Sequence, residues 1–131
     1  MKILDTNICI YLINKNPEPV LNRLSQHAVE EIALSSITVA ELVFGIEKSQ
    51  SKKNRSALEQ FLMPFQILDF DYRSAWTYGK IRHALNIKGA GVGPMDQLIA
   101  SQAITLNATL VTNNEQEFRR IPDLKIENWA R

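Results

Sequence analysis

Three acids in this 131-residue chain stand where their neighbours do not explain them. Asp5 ends the apolar run Ile3-Leu4. Glu41 lies at the edge of a wide apolar helical arc. Asp96 falls inside an apolar helix face, with Ile99 and Ala103 on one side and Ala100 and Ile104 on the other. Each has an ordinary alternative. Asp5, Thr6 or Asn7 could cap the helix that follows, Glu41 could be solvated, and Asp96 in a first turn would gain about 0.3–1 kcal/mol from the helix dipole. Burying an unpaired carboxylate costs several kcal/mol, so the dipole does not offset an inward Asp96 and a partner is needed. If these acids meet with no Lys or Arg between them, each pair at about 4 Å and an effective dielectric near 20 repels by roughly 4 kcal/mol. A divalent cation resolves that repulsion. The donors are all oxygens, with no His or Cys placed for zinc, so Mg²⁺ is indicated, with Mn²⁺ as a substitute. Such an ion lowers the pKa of a bound water and steadies phosphodiester oxygens, and metal-dependent phosphodiester hydrolysis is the chemistry implied.

The elements that would position these groups recur along the chain. Ile3-Leu4 stops on Asp5, Ile32-Ala33-Leu34 on Ser35 and Ser36, Phe65-Gln66-Ile67-Leu68 on Asp69, and Thr109-Leu110-Val111 on Thr112-Asn113-Asn114. Short apolar runs that end on cap-type residues read as buried strands entering helices. Helical spacing is predicted over residues 8–13, 18–26, 37–48, 57–63, from Asp71 through Leu85, and over 94–107, with Lys125-Ile126-Glu127 as an edge strand. Residues 49–54 read as a solvated polar turn. Gly45 inside a helix costs up to about 1 kcal/mol against Ala and predicts a close neighbour. Lys88-Gly89-Ala90-Gly91-Val92-Gly93-Pro94 lacks the preceding strand of a dinucleotide loop and the following Gly-Lys-Ser/Thr of a phosphate loop, and reads as a connection into a helix with Pro94 in its first turn. Strands alternating with helices predict an α/β layer fold on a central parallel sheet. Ligands in such folds sit beyond the carboxyl ends of the strands, which would gather Asp5, Ser35, Ser36, Thr112 and Asn114 at one edge, facing Glu41 and Asp96.

Bulk composition narrows the setting. The length suits one domain, 1–131, able to bury about two thirds of its unfolded surface. Fifteen basic and fourteen acidic residues give a net charge of +1, so any basic surface is local. The one cysteine, Cys9, has no disulfide partner and sits among Ile8, Ile10 and Tyr11 as a small core residue, a nucleophilic role being the alternative. No run is long enough for a membrane span, and a cytoplasmic location is expected.

Four ordered motifs, Leu4-Asp5-Thr6-Asn7, Ser35-Ser36-Ile37-Thr38-Val39-Ala40-Glu41-Leu42, Gly93-Pro94-Met95-Asp96 and Val111-Thr112-Asn113-Asn114 followed by Glu117-Phe118, together resemble the PIN-domain ribonucleases of the VapC toxin branch. The resemblance spans the whole chain. It implies a three-layer sandwich around about five parallel strands, with Asp5 and Asp96 as principal Mg²⁺ ligands and Glu41 as a further acid. The family often has a fourth acid where this chain has Asn114, which weakens the case for a second metal. Asn114 would then hold a metal-bound water, with Asn7, Thr112 and Glu117 in support. The resemblance also implies a structured RNA substrate, often a tRNA, a homodimer, and a VapB-like antitoxin whose tail covers the site. Lys48, Lys52, Lys53, Lys80, Arg82 and Lys88 would supply phosphate contacts, a plain solvated role being the alternative for each. Two rivals differ in kind. A receiver-like phosphoacceptor would want an acidic pair beside the first strand and a late Lys, and neither is present. A catalytically weak RNA-binding or regulatory domain finds its support in Asn114.

Overall fold

The structure, a computed structural model, describes residues 1–131. Five short strands, β1 (Lys2–Leu4), β2 (Ile32–Ser35), β3 (Gln66–Leu68), β4 (Thr109–Val111) and β5 (Lys125–Glu127), form one sheet in the order β3-β2-β1-β4-β5, every pair parallel. Seven helices cover it: α1 (Thr6–Ile13), α2 (Glu18–Ser25), α3 (Ser36–Ser49), α4 (Lys52–Leu62), α5 (Tyr72–Lys88), α6 (Pro94–Thr105) and α7 (Glu115–Phe118).

Successive strand residues point to opposite faces, and the core divides accordingly. Ile3 and Leu110 join Ile81, Leu85, Ile99 and Phe118 on one face, while Leu4 and Val111 join Ile8, Leu12, Leu42, Leu58 and Trp129 on the other. This is the three-layer α/β arrangement expected from the alternation of strands and helices. From β1 the chain steps outward through β2 and β3, then crosses back to β4 and β5, so the order reverses between β1 and β4. Open parallel sheets bind ligands at that reversal, beyond the strand carboxyl ends. Asp5 follows β1 and Thr112 follows β4; their amides donate to Val111 O and Glu127 O, both at 2.9 Å, which carries the ladder one residue past each strand and fixes the two side chains beside each other.

Three local expectations fail. The polar stretch read as a turn is largely helix: Ser51 Oγ accepts from Asn54 N at 3.1 Å and α4 begins at Lys52, not near Ala57. Gly45 has no close neighbour, nothing lying within 4 Å of where its Cβ would sit; its bare backbone instead opens a cavity of about 250 Å³ among α1, α3 and α4, lined by Ile10, Leu42, Ala57 and Leu58. The apolar arc of α3 is also wider than the core that receives it. Thr38 and Leu42 are buried, whereas Phe44 is 69% exposed.

Candidate active site

Asp5 is held by the backbone that makes it a cap and by a neighbour across the sheet. Its Oδ1 accepts from Ile8 N at 2.9 Å, so the capping role read from the sequence is real. Its Oδ2 accepts from Thr112 Oγ1 at 2.5 Å, and Thr112 Oγ1 in turn accepts from Asn114 N at 2.9 Å, which points the hydroxyl proton at the carboxylate. Only 4% of Asp5 is exposed. Burial pushes its carboxyl up from 3.8 to about 6 despite the Thr112 and Ile8 donors, and the nearby Glu41 adds to the rise.

Asp96 enters from the first turn of α6, behind Gly93 and Pro94, and is half-buried. Its carboxyl rises from 3.8 to about 7, through burial first and then through the charges of Glu117, Asp5 and Glu41. Its half-burial agrees with the inward placement read from the helix face, and Glu117 comes before Asp5 among the charges that raise its carboxyl. Glu117 is pinned on both oxygens: Gly93 N donates to Oε1 at 2.7 Å and Asn114 Nδ2 to Oε2 at 2.6 Å. A Cβ on Gly93 would stand 3.6 Å from Asp96 Oδ2 and 3.7 Å from Glu117 Oε1, so the missing side chain leaves room above both carboxylates.

Asp5, Thr6, Asn7, Glu41, Asp96, Asn114 and Phe118 line one cavity of about 180 Å³. No Lys or Arg lines it, and the acids face one another uncompensated. Glu41 is turned aside, its Oε1 accepting from Thr6 Oγ1 at 2.6 Å, and Glu117 is similarly occupied, so three acids do not close on one point. This arrangement fits a hard cation held by one or two carboxylates with water completing its shell, as Mg²⁺ prefers, and does not form an all-protein cage. The donor set is entirely oxygen, which excludes a zinc-type site built on His or Cys.

Residues 2–124 match the family model described as PIN domain. The chain belongs to the PIN-domain family. Within that family this PIN domain is 50% identical over 129 residues to a Rickettsia felis protein named Ribonuclease VapC2, covering 97% of this chain and 96% of that one. A Salmonella typhimurium protein named tRNA(fMet)-specific endonuclease VapC is 41% identical, with 98% and 97% covered. The crystal structure of VapBC2 from Rickettsia felis, bound to a DNA fragment from their promoter, superposes with a TM-score of 0.89 at 48% identity over 98% of each chain. The PIN domain described here is thus a nuclease of the VapC branch, and nucleases of this family are in general divalent-metal dependent.

Not every strand-end polar group reaches this PIN-domain site. Asp5, Thr112 and Asn114 converge as expected, but Ser35 Oγ caps Ile37 N at 2.9 Å and bonds the buried Gln102, and Ser36 Oγ accepts from Phe70 N at 3.3 Å. Asn7 lines the cavity, exposed and without a side-chain hydrogen bond of its own. Lys48, Lys52, Lys53, Lys80, Arg82 and Lys88 are exposed, and none lines the cavity. Sequence reasoning missed Thr6 as the partner that aims Glu41, although a hydroxyl directly after a strand-end acid was a usable signal. It also missed Gln102, a buried amide joining α6 to β2 and to Leu68 O at 3.1 Å; no periodicity marks it.

Proposed function

We propose that this chain is a Mg²⁺-dependent, site-specific endoribonuclease acting as the toxin of a VapBC toxin–antitoxin pair, with Mn²⁺ able to substitute. Its substrate is a structured RNA, a tRNA by preference, whose cleavage inhibits translation and growth. Residues 1–131 act as one PIN domain, in the cytoplasm, as a homodimer restrained by a VapB-like antitoxin. The names of the relatives support the ribonuclease reading, and the VapBC complexes among similar structures support the partner.

In this reading Asp5 and Asp96 hold the metal and Glu41 is the further acid. The ion, when bound, supplies Lewis-acid activation of water and of the scissile phosphate. Thr112 orients Asp5 through its hydroxyl, Thr6 holds Glu41 at the rim, and Asn114 steadies Glu117 beside Asp96. Asp5 and Asp96, both pushed up toward neutrality when no cation compensates them, are the groups most relieved by one. The carrying observation is this set of facing acids in a cavity without Lys or Arg.

The test is cleavage of a tRNA pool by the purified chain with Mg²⁺, with Mn²⁺, or in excess chelator, with RNA ends mapped by sequencing. Cutting at a defined site with either ion, and none with Asp5→Ala or Asp96→Ala, is expected. Undiminished cutting in chelator would remove the metal mechanism. RNA binding without cleavage under all conditions would favour the non-catalytic reading.

A further inference from the structure

The charge of the chain is not spread evenly. Helix α5 carries Arg73, Lys80, Arg82, His83 and Lys88 with no Asp or Glu in its 17 residues, in a protein of net charge +1, so the rest of the chain is net acidic. All five are exposed, and none of the Lys or Arg residues among them forms a salt bridge, although six such pairs occur elsewhere. Aromatic rings stand among these charges. Trp76 is 63% exposed and Tyr72 76%, the two rings meeting edge to face with centroids 6.3 Å apart. Trp76, Gly79, Lys80 and His83, spaced three and four residues apart, share one face and with Ala75 line an open groove. Gly79 costs a helix interior up to about 1 kcal/mol, and nothing lies within 4 Å of where its Cβ would sit, so the fold itself does not require its bareness.

Basic side chains without acidic partners, interleaved with exposed aromatic faces, are what single-stranded nucleic acid binds: phosphates take the charges and bases stack on the rings. The position suits a substrate entering the cavity. Thr105 near the end of α6 bonds Thr77 near the start of α5 at 2.7 Å, so the two helices run antiparallel and the end of α5 lies toward the turn of α6 that carries Asp96. Trp76 stands twelve residues before Lys88, or about 18 Å along the helix. A second copy of the chain is the poorer occupant, because a two-fold contact through this face would set the positive stripe against itself.

We propose that the outward face of α5 is a single-stranded RNA platform, with a base stacked on Trp76 and phosphates held by Lys80 and Lys88, outside the carboxylate cavity. The choice of RNA rests on the ribonuclease reading above.

Trp76 and Trp129 are the only tryptophans, and Trp129 is buried, so the exposed indole is its own probe. A single-stranded oligouridylate of about ten nucleotides, titrated into the full chain in chelator, should quench the tryptophan fluorescence, and Trp76→Phe should abolish the quench. Followed by anisotropy of a labelled oligonucleotide, Trp76→Ala should weaken binding roughly tenfold and Trp76→Phe much less. Lys80→Ala should reduce the salt slope of binding by roughly one. With Mg²⁺ present, Trp76→Ala should raise KM for RNA and leave kcat unchanged. Absence of a quench, with affinity and KM unaltered in Trp76→Ala, would overturn the platform. So would a Trp76→Ala protein that loses self-association in sedimentation while keeping its RNA affinity. A Trp76-dependent quench in a chain that never cleaves RNA would support the platform and remove the nuclease reading instead.

Discussion

Replacing Asp96 by Asn tests the electrostatics of the cavity without any substrate. The Asp96 carboxyl is pushed up from 3.8 to about 7 by burial and by Glu117, Asp5 and Glu41. At about 1.4 kcal/mol for each tenfold change in proton affinity, a rise from 3.8 to about 7 sets a ceiling near 4 kcal/mol once the solution is well above neutrality. Asp96 is only half-buried, and screening by water and salt reduces that to about 1–3 kcal/mol. Asn keeps the shape and sheds the charge, so Asp96→Asn should raise metal-free stability by about 1–3 kcal/mol near pH 8, the lost dipole interaction included. The sign follows from linkage. A carboxyl whose folded pKa lies above its unfolded value is harmless below about pH 4 and increasingly destabilising as pH rises toward about 7. The advantage of the mutant should therefore shrink to a few tenths of a kcal/mol near pH 4. Urea melts of both proteins at the two pH values, in chelator and in millimolar Mg²⁺, measure all of this. Mg²⁺ should stabilise the wild type more than the mutant, because an ion bound only to the folded state adds stability in proportion to its occupancy. A destabilised mutant with an unchanged Mg²⁺ response would refute the reasoning and leave Asp96 a helix-dipole residue.

Other expectations follow from the same geometry. Thr112→Val removes the hydroxyl that Asp5 Oδ2 accepts from, so about 1–3 kcal/mol of stability should go, with weaker Mg²⁺ binding by calorimetry; equal Mg²⁺ affinity would mean that Thr112 does not orient Asp5. Metal-free wild type should lose stability steadily between about pH 4 and pH 7, since Asp5 and Asp96 both titrate higher when folded, and saturating Mg²⁺ should flatten that slope in a pH series of thermal melts. Asn114→Asp replaces a donor to Glu117 with a second charge, so it should destabilise the chain in chelator, and recovery in Mn²⁺ with an increased binding stoichiometry would show room for a second ion. Thr6→Val frees Glu41 and should lower kcat with little change in melting temperature, Thr6 being only partly buried.

The sheet and its polar edge were legible because the signals are local and repeated: Ile3-Leu4 stops on Asp5 and Leu110-Val111 on Thr112, and parallel pairing then brings Asp5 and Thr112 side by side. Asp96 was legible because an acid within an apolar face costs too much to be accidental. The start of α4 was hidden, since Ser51 caps from within a run of polar residues and Lys52 and Lys53 are unfavourable at a helix N-terminus. Gly45 misled because a bare helix position fits an opened groove as well as a close contact. The pairing of Asp96 with Glu117 depends on how α7 folds back over Gly93, a tertiary contact 24 residues apart that no periodicity encodes.

The lone thiol gives this fold an internal clock. Cys9 is fully buried, its amide bonded to Asp5 O at 3.1 Å, and burial with the Asp5 charge pushes its thiol further toward the unreactive protonated form. Alkylating reagents reach it only when α1 lifts from the sheet, which is the same opening that would dismantle the Asp5 corner. The rate of thiol labelling in the unmodified protein therefore reports how often the Asp5 corner comes apart, and every ligand that tightens the corner slows that clock.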